Sequence, residues 1–420
     1  MCFNITLLAR ILINYLYFPF IWKASTVRVD FLLFDISSLF STSNNRFENT
    51  NACLCILHEF GWSFSICIRS YKNTDMSATK RIAYWMSEKK SQKINWEEFK
   101  GISAKYGFEL FKLDLNRSLQ MQGPITVFLH KLTDIIALAD QGDSNCSKII
   151  QSVESYISAH DKLIVIDPID KLRQLLNRYQ SYTIIQKTDL HNYGVFTPNF
   201  CEITERNTNL IAEKLKAANI SYPFICKPQL GHGSKKAHEM LIIFNENSLE
   251  DCKAPCVAQN FINHNAVLFK IFIVGEKSYY VERPSLKNFY ASDSCSILFD
   301  SGAVSKAGAQ SNLSILEEAE VSKVPVPDDW VFQKISTTLR KAYGMELLGV
   351  DVVIENNSGR YGIIDVNAYP GYDGFPNFFE SLFQCISDKV NAVGDKNKIT
   401  TCDSNKIPNN DSRDTKTTII

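Results

Sequence analysis

Three oxygen-bearing side chains near the C-terminal end of the sequence stand at a spacing that suits a metal ion. Asp351 interrupts one apolar, β-branched run, and Asp365 and Asn367 lie two positions apart in a second. Between the runs stands Asn356-Asn-Ser-Gly359, a cluster whose residue types tolerate the positive φ of a tight turn. We therefore predict an antiparallel hairpin in which Asp351 lies opposite Asp365, with Cβ atoms roughly 5 Å apart. Because side chains alternate along a strand, Asp365 and Asn367 share one face.

A pair of carboxylates at that separation favours a bound cation. The two charges repel, and each raises the pKa of the other unless a cation lies between them. Hard oxygen donors without sulfur or imidazole select Mg²⁺ or Mn²⁺, and Mg²⁺ leaves much of its coordination to water and phosphate. A solvated hairpin that merely carries Asp and Asn is the alternative. The apolar flanks Leu347, Leu348, Ile363 and Ile364 favour a buried hairpin, whose carboxylates need partners, so we predict a nucleotide–metal site.

Strands alternate with helices in the segment that follows residue 81. Short strands are predicted at 82–86, 109–113, 125–129 and 163–166, with helices at about 95–106, at 147–159 and after Pro168. This alternation predicts a parallel sheet in a small Rossmann-like domain. No GxGxxG motif follows the first strand, so the sequence does not carry the dinucleotide-binding fingerprint.

Lysines follow two strands of this predicted sheet. Ser87-Glu-Lys89-Lys90 comes after the first strand, and His130-Lys131-Leu-Thr-Asp134 comes after the third. Open α/β sheets bind ligands at the carboxyl ends of their strands. Taken singly, Lys89, Lys90 and Lys131 are more typical of solvated surface charges. Two basic loops on one rim together predict a pocket for an anion.

A glycine-containing loop follows a further strand that ends in lysine. The strand 222–227 ends at Lys227, and the loop Gly231-His-Gly-Ser-Lys-Lys236 precedes the apolar segment 238–244. Two glycines let backbone amides approach phosphates, although an ordinary turn is the alternative. The loop is not GxxxxGK[ST], so the pattern does not indicate a P-loop kinase.

Size, charge and cysteine usage limit the class of protein. At 420 residues the chain exceeds one typical domain, so two or three sub-domains are expected. Lys plus Arg (45) equals Asp plus Glu (45), so no global basic field indicates nucleic acid, and an anionic ligand must meet local clusters. The 12 cysteines form no CxxC pair and no zinc-site spacing, which favours cytosolic thiols and a cytoplasmic protein.

The two ends of the chain differ from its middle. Residues 1–22 are apolar, but polar residues, an arginine and a proline interrupt them, so the segment is short of a membrane helix and lacks the basic start of a signal peptide. We expect residues 1–75 to be a poorly ordered extension before a domain that starts near Met76, with a signal anchor as the alternative. Residues 393–420 are mostly polar and predict a disordered tail.

Three motifs carry a resemblance to a known family. They are Cys256-Val-Ala-Gln-Asn-Phe-Ile-Asn-His-Asn-Ala-Val-Leu-Phe-Lys270, Arg283-Pro-Ser-Leu-Lys-Asn-Phe289 and Asp365-Val-Asn-Ala-Tyr-Pro-Gly-Tyr-Asp-Gly374. Together they closely resemble the inositol 1,3,4-trisphosphate 5/6-kinases, also called inositol-tetrakisphosphate 1-kinases, and the likeness runs from about Arg81 to about Ser387. It implies the ATP-grasp fold, an α/β protein with an N-terminal Rossmann-like parallel-sheet domain (76–178) and two α+β sub-domains (179–259 and 260–392) that enclose ATP.

The resemblance implies a Mg²⁺-dependent kinase. It implies transfer of the ATP γ-phosphate to the 5- or 6-hydroxyl of inositol 1,3,4-trisphosphate and to the 1-hydroxyl of inositol 3,4,5,6-tetrakisphosphate, with reversible phosphate exchange as a further property of family members. ATP and two Mg²⁺ ions are the expected cofactors. We expect a cytoplasmic monomer that binds inositol polyphosphates, with no nucleic-acid partner and no membrane association.

The resemblance also implies roles for individual residues. Those implied to bind the inositol phosphate are Lys90, Lys131, His238, Lys270, Asn367 and Gly371. Those implied to bind ATP are Arg178, Lys227, Gln259, Asn260, Phe261, Lys270, Ser285, Ser301 and Ser305. The metal ligands would be Asp351, Asp365 and Asn367, and no residue is assigned as general base. The strand 257–262 is expected to offer its edge to adenine through backbone hydrogen bonds. The spacing from Lys227 to His238 is 11 positions, one more than the spacing expected from the family pattern.

Two other functions stay open at this point. An ATP-grasp carboxylate–amine ligase would release phosphate only when an amine and a carboxylate are both present, and it has less use for His238 and Lys270. A catalytically inactive inositol-phosphate-binding protein would have no need to keep Asp351, Asp365 and Asn367 together. Phosphoryl transfer itself needs the γ-phosphate held in line with an acceptor hydroxyl and its charge neutralised.

Overall fold

The computed structural model describes residues 54–57, 63–66, 79–231, 235–321 and 326–403. The chain divides into two compact units, Met1–Thr74 and Asp75–Ile420. In the first unit, β1 (Leu54–Leu57) and β2 (Ser63–Ile66) form an antiparallel pair. The rest of the extension predicted for residues 1–75 lies outside the described residues.

Four parallel strands form the first sheet of the second unit. They are, in chain order, β3 (Lys80–Trp85), β4 (Phe108–Lys112), β5 (Val127–His130) and β6 (Ile164–Ile166). Their order in the sheet is β4-β3-β5-β6, and each pairs in parallel with its neighbour. The helices of this region are α1 (Glu88–Ser91), α2 (Trp96–Lys105), α3 (Thr133–Asp140), α4 (Ser144–Ser158) and α5 (Ile169–Leu176). The predicted Rossmann-like parallel sheet is confirmed.

Local side chains determine where two of these helices begin. Asn95 precedes α2, and its Oδ1 accepts a hydrogen bond from the Glu98 amide at 3.3 Å, as expected of a helix cap. Asp143 precedes α4 and accepts in the same way from the Cys146 amide at 2.8 Å. The sequence pattern did not predict α3, which begins at Thr133, within the second basic segment 130–134.

The remaining strands belong to two further sheets. In chain order they are β7 (Val195–Phe196), β8 (Phe200–Ile203), β9 (Phe224–Pro228), β10 (Glu239–Ile243), β11 (Cys256–Asn260), β12 (Val267–Val274), β13 (Lys277–Pro284), β14 (Ile297–Asp300), β15 (Leu347–Ile354) and β16 (Tyr361–Ala368). The helices are α6 (Arg178–Gln186), α7 (Thr208–Ala217), α8 (Ser301–Ser305), α9 (Asp329–Tyr343) and α10 (Phe378–Asp403). Short 3₁₀ turns lie at Gln120–Gln122, Asp189–Tyr193, Lys235–His238, Glu246–Asp251, Asn312–Ser314 and Glu318–Glu320.

The two sheets exchange strands along the chain. The central sheet has the order β14-β10-β9-β11-β8, and the C-terminal sheet has the order β13-β12-β15-β16-β7. β14 belongs by position to the segment 260–392, yet it pairs with β10 in the central sheet. β7 belongs by position to the segment 179–259, yet it pairs in parallel with β16 in the C-terminal sheet. The two predicted sub-domains therefore each contribute an edge strand to the other.

β11 is paired on both sides, contrary to expectation. Gln259 lies opposite Phe200 of β8 and opposite Ile225 of β9. The amide of Asn260 donates to the carbonyl oxygen of Asn199 at 2.9 Å. The expectation of an open strand edge is therefore wrong for Cys256–Asn260, and backbone contact between adenine and the rest of the segment 257–262 stays a prediction.

α10 joins the parallel sheet to the C-terminal sheet. Its Leu382, Phe383 and Ile386 are buried in one apolar cluster with Phe99 of α2 and Val274 of β12. The three α10 residues are spaced for one face of a helix, so that face is buried between the two sheets.

α10 is longer than the sequence predicts. The polar composition from residue 393 predicts a disordered tail, whereas the helix continues to Asp403. Residues 404–420 of the predicted tail lie outside the described part of the chain. Among the residues that the structure describes, no helix combines the length and the apolar character needed to cross a membrane.

Asp167 anchors the first residues of β15 to the parallel sheet. One carboxylate oxygen accepts from the Glu346 amide at 2.7 Å, and the other accepts from the Leu347 amide at 3.1 Å. All of these groups are buried. Burial raises the pKa of Asp167 to about 7, although both amide hydrogen bonds favour the charged form.

Replacing Asp167 with Ala should destabilise the protein strongly. The change leaves two buried amides without acceptors, at a cost of roughly 2–4 kcal/mol. We expect thermal unfolding to begin several degrees below that of the wild type. Asp170→Ala, at an exposed carboxylate on α5, is the matched control. A D167A protein that melts with the control would contradict the anchoring role.

Candidate active site

β15 and β16 form the predicted hairpin, and Asp351 lies opposite Asp365. The predicted opposition of the two carboxylates is confirmed. Val350, Val352 and Val366, which flank the aspartates in sequence, are buried in the largest apolar cluster. The aspartate side chains keep 16% and 17% of their surface exposed, so they reach a cleft without being freely solvated.

Fixed positive charges lie against both carboxylates. Lys270 of β12 donates from Nζ to Oδ1 of Asp351 at 2.6 Å. Asn367 donates from Nδ2 to Oδ2 of the same aspartate at 3.2 Å. A guanidinium nitrogen of Arg178, the first residue of α6, lies 3.6 Å from Oδ2 of Asp365. Neighbouring elements thus supply the partners that buried carboxylates require.

The two carboxylates differ in acidity. Burial raises the pKa of Asp351; the Lys270 ammonium offsets part of that rise, and the Asp365 carboxylate adds to it. Burial also acts to raise the pKa of Asp365, but Arg178, Lys227 and Lys270 together outweigh it and leave that pKa below its ordinary value. The site therefore favours a charged Asp365 even without a bound cation.

The donor set fits a metal that is shared with phosphate. Within the described residues, no group of three or more His, Cys, Asp and Glu side chains could hold a metal ion. The hairpin offers two carboxylates and the amide of Asn367 instead. Mg²⁺ is commonly held by one or two carboxylates and takes its remaining ligands from water and substrate phosphate. The residues present therefore suit Mg²⁺ beside a nucleotide better than a closed protein cage.

Lys227 is buried near the carboxylate pair. Its Nζ donates to Oε1 of Gln259 at 2.7 Å, to the carbonyl oxygen of Ile364 at 2.7 Å and to the Tyr182 hydroxyl at 3.2 Å. Burial lowers the pKa of this lysine to about 8, although the charge of Asp365 opposes the shift. These contacts hold the ammonium group in one place at the inner end of the cleft.

Arg178 is held by backbone and keeps part of its hydrogen-bonding capacity free. One guanidinium NH₂ group donates to the carbonyl oxygen of Pro228 at 2.8 Å. Its buried Nε has no partner among the described residues. Gly231 borders the guanidinium, since a Cβ atom there would lie in ordinary van der Waals contact with its carbon at 3.8 Å. An unpartnered donor of this kind suits an anionic oxygen.

The carboxylates open into a cleft of about 430 Å³ between the central and C-terminal sheets. Polar groups gather at the hairpin end. Apolar side chains form much of the remaining lining, and together we call them the apolar wall: Ile225, Met240, Leu268, Leu286, Phe299 and Val304. A charged inner end and an apolar wall match a ligand that carries phosphates at one end and an aromatic base at the other.

A second cleft, of about 410 Å³, adjoins the first. Lys90 and Lys131 both line it, so the two basic segments meet as predicted, although the first of them forms the short helix α1 rather than a loop. Gly371 and Asp373 border both clefts. Lys90 is paired with the Asp134 carboxylate at 2.7 Å.

Lys131 is the more constrained of the two lysines. Its Nζ donates to the carbonyl oxygen of Tyr369, in the loop that separates the clefts. Burial lowers the pKa of Lys131 to about 7; the neighbouring charge of Lys90 and the more distant charge of Lys270 also lower it, and Asp134 opposes them. The charge of Lys131 therefore changes near neutral pH.

Two family models match this chain. The inositol 1,3,4-trisphosphate 5/6-kinase pre-ATP-grasp domain matches residues 81–172, and the inositol 1,3,4-trisphosphate 5/6-kinase ATP-grasp domain matches residues 189–388. The inositol-tetrakisphosphate 1-kinase of Xenopus laevis is 43% identical over 312 residues, which cover 73% of this chain and 78% of that protein. The Danio rerio protein of the same name is 42% identical with the same coverage. Inositol-tetrakisphosphate 1-kinase 3 of Glycine max is 28% identical over 319 residues, covering 74% of this chain and 85% of that protein.

The chain belongs to the inositol 1,3,4-trisphosphate 5/6-kinase family. The resemblance seen in the three sequence motifs is confirmed, as is the ATP-grasp fold that the larger family model names. The pre-ATP-grasp match coincides with the parallel sheet, and the ATP-grasp match spans the central and C-terminal sheets.

The structure brings together most of the residues that the family resemblance implied. Those that line the larger cleft are Arg178, Lys227, His238, Lys270, Ser285, Ser301, Ser305, Asp351, Asp365, Asn367 and Gly371. Those that line the second cleft are Lys90, Lys131 and Gly371. Their individual roles stay predictions. Residues 232–234 of the predicted glycine loop lie outside the described residues.

Three residues implied to bind ATP in this family do not line either cleft. Gln259 is buried and uses its side-chain oxygen to hold Lys227. Asn260 accepts from the Ser221 amide at 2.9 Å. Phe261 packs edge-on against Phe289 at 5.6 Å between ring centroids. Their side chains support the cleft from behind, so any contact with ATP is left to their backbone or to later residues.

Sequence reasoning missed several side chains that the kinase fold brings to the clefts. Arg283, Lys306 and Asp373 line the larger cleft, and Lys93 lines the second. Arg283 belongs to one of the three motifs that carry the family resemblance, so the motif could have indicated a residue of the cleft. Lys93 and Lys306 gave no such signal, because isolated lysines are mostly solvated surface residues.

Replacing Asp365 with Asn should remove the Mg²⁺ dependence of nucleotide binding. The substitution preserves shape but removes one of the two carboxylates that would hold the ion. In the wild type, adding Mg²⁺ to ATP should raise the melting temperature further than ATP alone, because a ligand that binds only the folded state stabilises it. In D365N this extra rise should disappear.

The measurement is thermal unfolding with ATP, with and without Mg²⁺. Asp373→Asn, at an exposed carboxylate on the rim of the cleft, is the control that should keep the full Mg²⁺ response. A full response in D365N would reject the metal assignment.

Proposed function

We propose that this chain is an inositol polyphosphate kinase that uses Mg-ATP. The acceptors are inositol 1,3,4-trisphosphate, at the 5- or 6-hydroxyl, and inositol 3,4,5,6-tetrakisphosphate, at the 1-hydroxyl. One observation carries the proposal: a cleft with paired carboxylates adjoins a cleft lined by three lysines, and Gly371 and Asp373 border both. Family membership supports the same activity, because the relatives reported above are named for it.

ATP would lie in the larger cleft. Arg178 and Lys227 provide positive charge for its phosphates at the inner end, where both are already fixed by hydrogen bonds. The apolar wall would take the base. Ser285, Ser301 and Ser305 line the space that remains. Because β11 is paired on both sides, hydrogen bonds to the base would come from the chain that follows it.

Asp351, Asp365 and Asn367 would hold Mg²⁺, with two ions as the expected number. The metal would neutralise phosphate charge during transfer. The contribution of the chain itself is to keep both carboxylates buried and opposed, and to favour the charged form of Asp365. The family resemblance assigns Lys270 to both substrates; its ammonium contacts Asp351 and lines the larger cleft.

The inositol polyphosphate would bind across the border between the clefts. Lys90, Lys131, His238, Lys270, Asn367 and Gly371 are proposed to contact it. Several phosphate groups, each close to doubly charged at neutral pH, suit a group of fixed lysines. No side chain is proposed as general base, because a loose phosphoryl transition state depends mostly on positioning and charge neutralisation.

The other two functions are less favoured. A carboxylate–amine ligase has little use for a second cleft lined by Lys90 and Lys131. An inactive binding protein would not need the opposed carboxylates Asp351 and Asp365. A cytoplasmic monomer and reversible phosphate exchange stay predictions.

Transfer of labelled γ-phosphate tests the function. The purified chain is given Mg-ATP with inositol 1,3,4-trisphosphate, inositol 3,4,5,6-tetrakisphosphate or a mixture of amino acids. Label should move to an inositol phosphate, and the labelled position ranks the two acceptors. Binding without transfer would favour the inactive protein, and phosphate release with amino acids alone would favour the ligase.

The affinity for the inositol polyphosphate should fall as pH rises through 7. Lys131 has a pKa of about 7, so it carries a charge below this pH and loses it above. The charged groups that face it are Lys90, Lys270 and Asp134. Loss of one charged contact is expected to raise KM by roughly tenfold between pH 6 and pH 8.5.

Lys131→Arg supplies the comparison, because arginine stays charged across this range. We expect a flatter KM profile in K131R, while titration of the substrate phosphates affects both proteins equally. Lys89→Arg, at the exposed neighbour in the first basic loop, should keep the wild-type profile. Identical profiles for K131R and wild type would reject the role of Lys131.

A further inference from the structure

Ser285 is a buried hydroxyl that lines the ATP cleft. It follows the last residue of β13, and its amide donates to the carbonyl oxygen of Ala266 at 2.8 Å. Its Oγ lies 2.7 Å from Nε2 of His264, which is also buried. This histidine has no part in the function proposed above.

The direction of the Ser285–His264 hydrogen bond follows from the other side of the ring. Nδ1 of His264 faces the carbonyl oxygen of Ile262. A carbonyl oxygen only accepts, so Nδ1 carries the proton. Burial lowers the pKa of His264 to about 4, so the ring is neutral at physiological pH and Nε2 carries no proton. Ser285 must therefore donate its hydroxyl proton to Nε2.

This direction limits what Ser285 can offer to a ligand. A hydroxyl has one proton and two lone pairs, and the proton is already used by His264. Ser285 is therefore available to the cleft only as an acceptor, and its partner must be a donor. In ATP the phosphates and ring nitrogens accept hydrogen bonds. The donors are the two ribose hydroxyls and the exocyclic amine of adenine.

The position of Ser285 along the sheet favours the sugar. Lys270, which touches the metal carboxylate Asp351, lies opposite Val281 on β13. Ser285 is four residues further along, which corresponds to about 13 Å in an extended chain. Leu286, the next residue, belongs to the apolar wall proposed for the base. Ser285 is thus displaced from the phosphate end and adjoins the apolar wall, within reach of the sugar that links phosphate to base.

The loop that carries His264 is rigid enough to fix this arrangement. Asn265 and Ala266 both have positive φ, 52° and 58°, which is uncommon for residues other than glycine. The Asn265 amide donates to Oδ1 of Asn288 at 3.0 Å, and Nδ2 of Asn288 donates back to Oδ1 of Asn265 at 2.8 Å. Asn356 from the turn after β15 donates to the same oxygen at 2.7 Å.

We propose that His264 is a positioning residue that holds Ser285 as a hydrogen-bond acceptor for a ribose hydroxyl, which makes the cleft select ribonucleotides over deoxyribonucleotides. The inference rests on the proposed ATP-dependent kinase activity. It assigns a role to a residue that touches the nucleotide only through its neighbour.

Nucleotide selectivity tests the proposal. kcat/KM is measured for wild type with ATP, 2′-deoxy-ATP, 3′-deoxy-ATP and inosine triphosphate, with an inositol polyphosphate as acceptor. One deoxynucleotide should be used about 5- to 30-fold less well than ATP, the effect of one lost hydrogen bond that leaves its buried partner unsatisfied. Equal use of all three adenine nucleotides would overturn the proposal and leave the kinase function standing. No transfer with ATP would remove both.

Variants distinguish a positioning role of His264 from a general loss of activity. In Ser285→Ala and His264→Leu, the ratio of ATP to deoxynucleotide efficiency should fall to within about twofold of unity. His191→Leu is the control, because this exposed histidine also bonds a backbone carbonyl through Nδ1 and lies on the 3₁₀ turn Asp189–Tyr193, outside both clefts. It should keep the wild-type ratio. A lower kcat in H264L with an unchanged ratio would reject the positioning role.

Two further readouts complete the test. If S285A and H264L change only the ratio of ATP to inosine triphosphate, the donor is the adenine amine and the ribose assignment is wrong. Nitrogen NMR of the wild type with labelled histidine reads the tautomer directly. An unprotonated Nε2 on His264 supports the proposal even if H264L does not fold, and a protonated Nε2 overturns it.

Discussion

Two acidic side chains face each other across a buried hairpin, and the surrounding elements must supply the positive charge that balances them. Water is mostly excluded from Asp351 and Asp365, so their repulsion is poorly screened and must be balanced by fixed positive charge. Lys270 comes from the adjacent strand, Lys227 from the central sheet and Arg178 from the helix before it. The pair is therefore satisfied only when three separate elements have assembled around the hairpin.

The fold meets this requirement through connections between its layers. The central and C-terminal sheets exchange edge strands, which ties the element that carries Lys227 to the sheet that carries the carboxylates. Asp167 fixes the start of β15 to the parallel sheet, and α10 packs between that sheet and the hairpin sheet. The same contacts that order the hairpin bring the lysine-lined cleft next to the carboxylate-lined one.

The features that the sequence predicts correctly depend on residues that are close together in the chain. The hairpin follows from a turn cluster between two β-branched runs, and the parallel sheet follows from alternating strands and helices. The opposition of Asp351 and Asp365 also depends on a register shift between Asp351 and Val352, which the sequence pattern does not predict. The exchange of β7 and β14 and the double pairing of β11 depend on partners far away in the chain, which one sequence does not reveal. The burial of Lys131 and Lys227 is set by neighbours from other elements, whereas lysine by itself indicates a surface residue.

The loop at residues 369–373 has a consequence for how the two ligands affect each other. Its first residue accepts the hydrogen bond of Lys131, and Pro370 lies so close to β15 that a Cβ atom at Gly349 would be 2.9 Å from its ring. The first two residues of the loop are thus held from two sides: Tyr369 by a group from the lysine cleft, and Pro370 by packing onto the carboxylate strand. If the nucleotide favours the loop conformation that the acceptor needs, it raises the affinity for the acceptor. By thermodynamic reciprocity the acceptor then raises the affinity for the nucleotide by the same factor. The order in which nucleotide and acceptor bind then depends on their association rates. The cooperativity between them depends on the loop and is the same for either order.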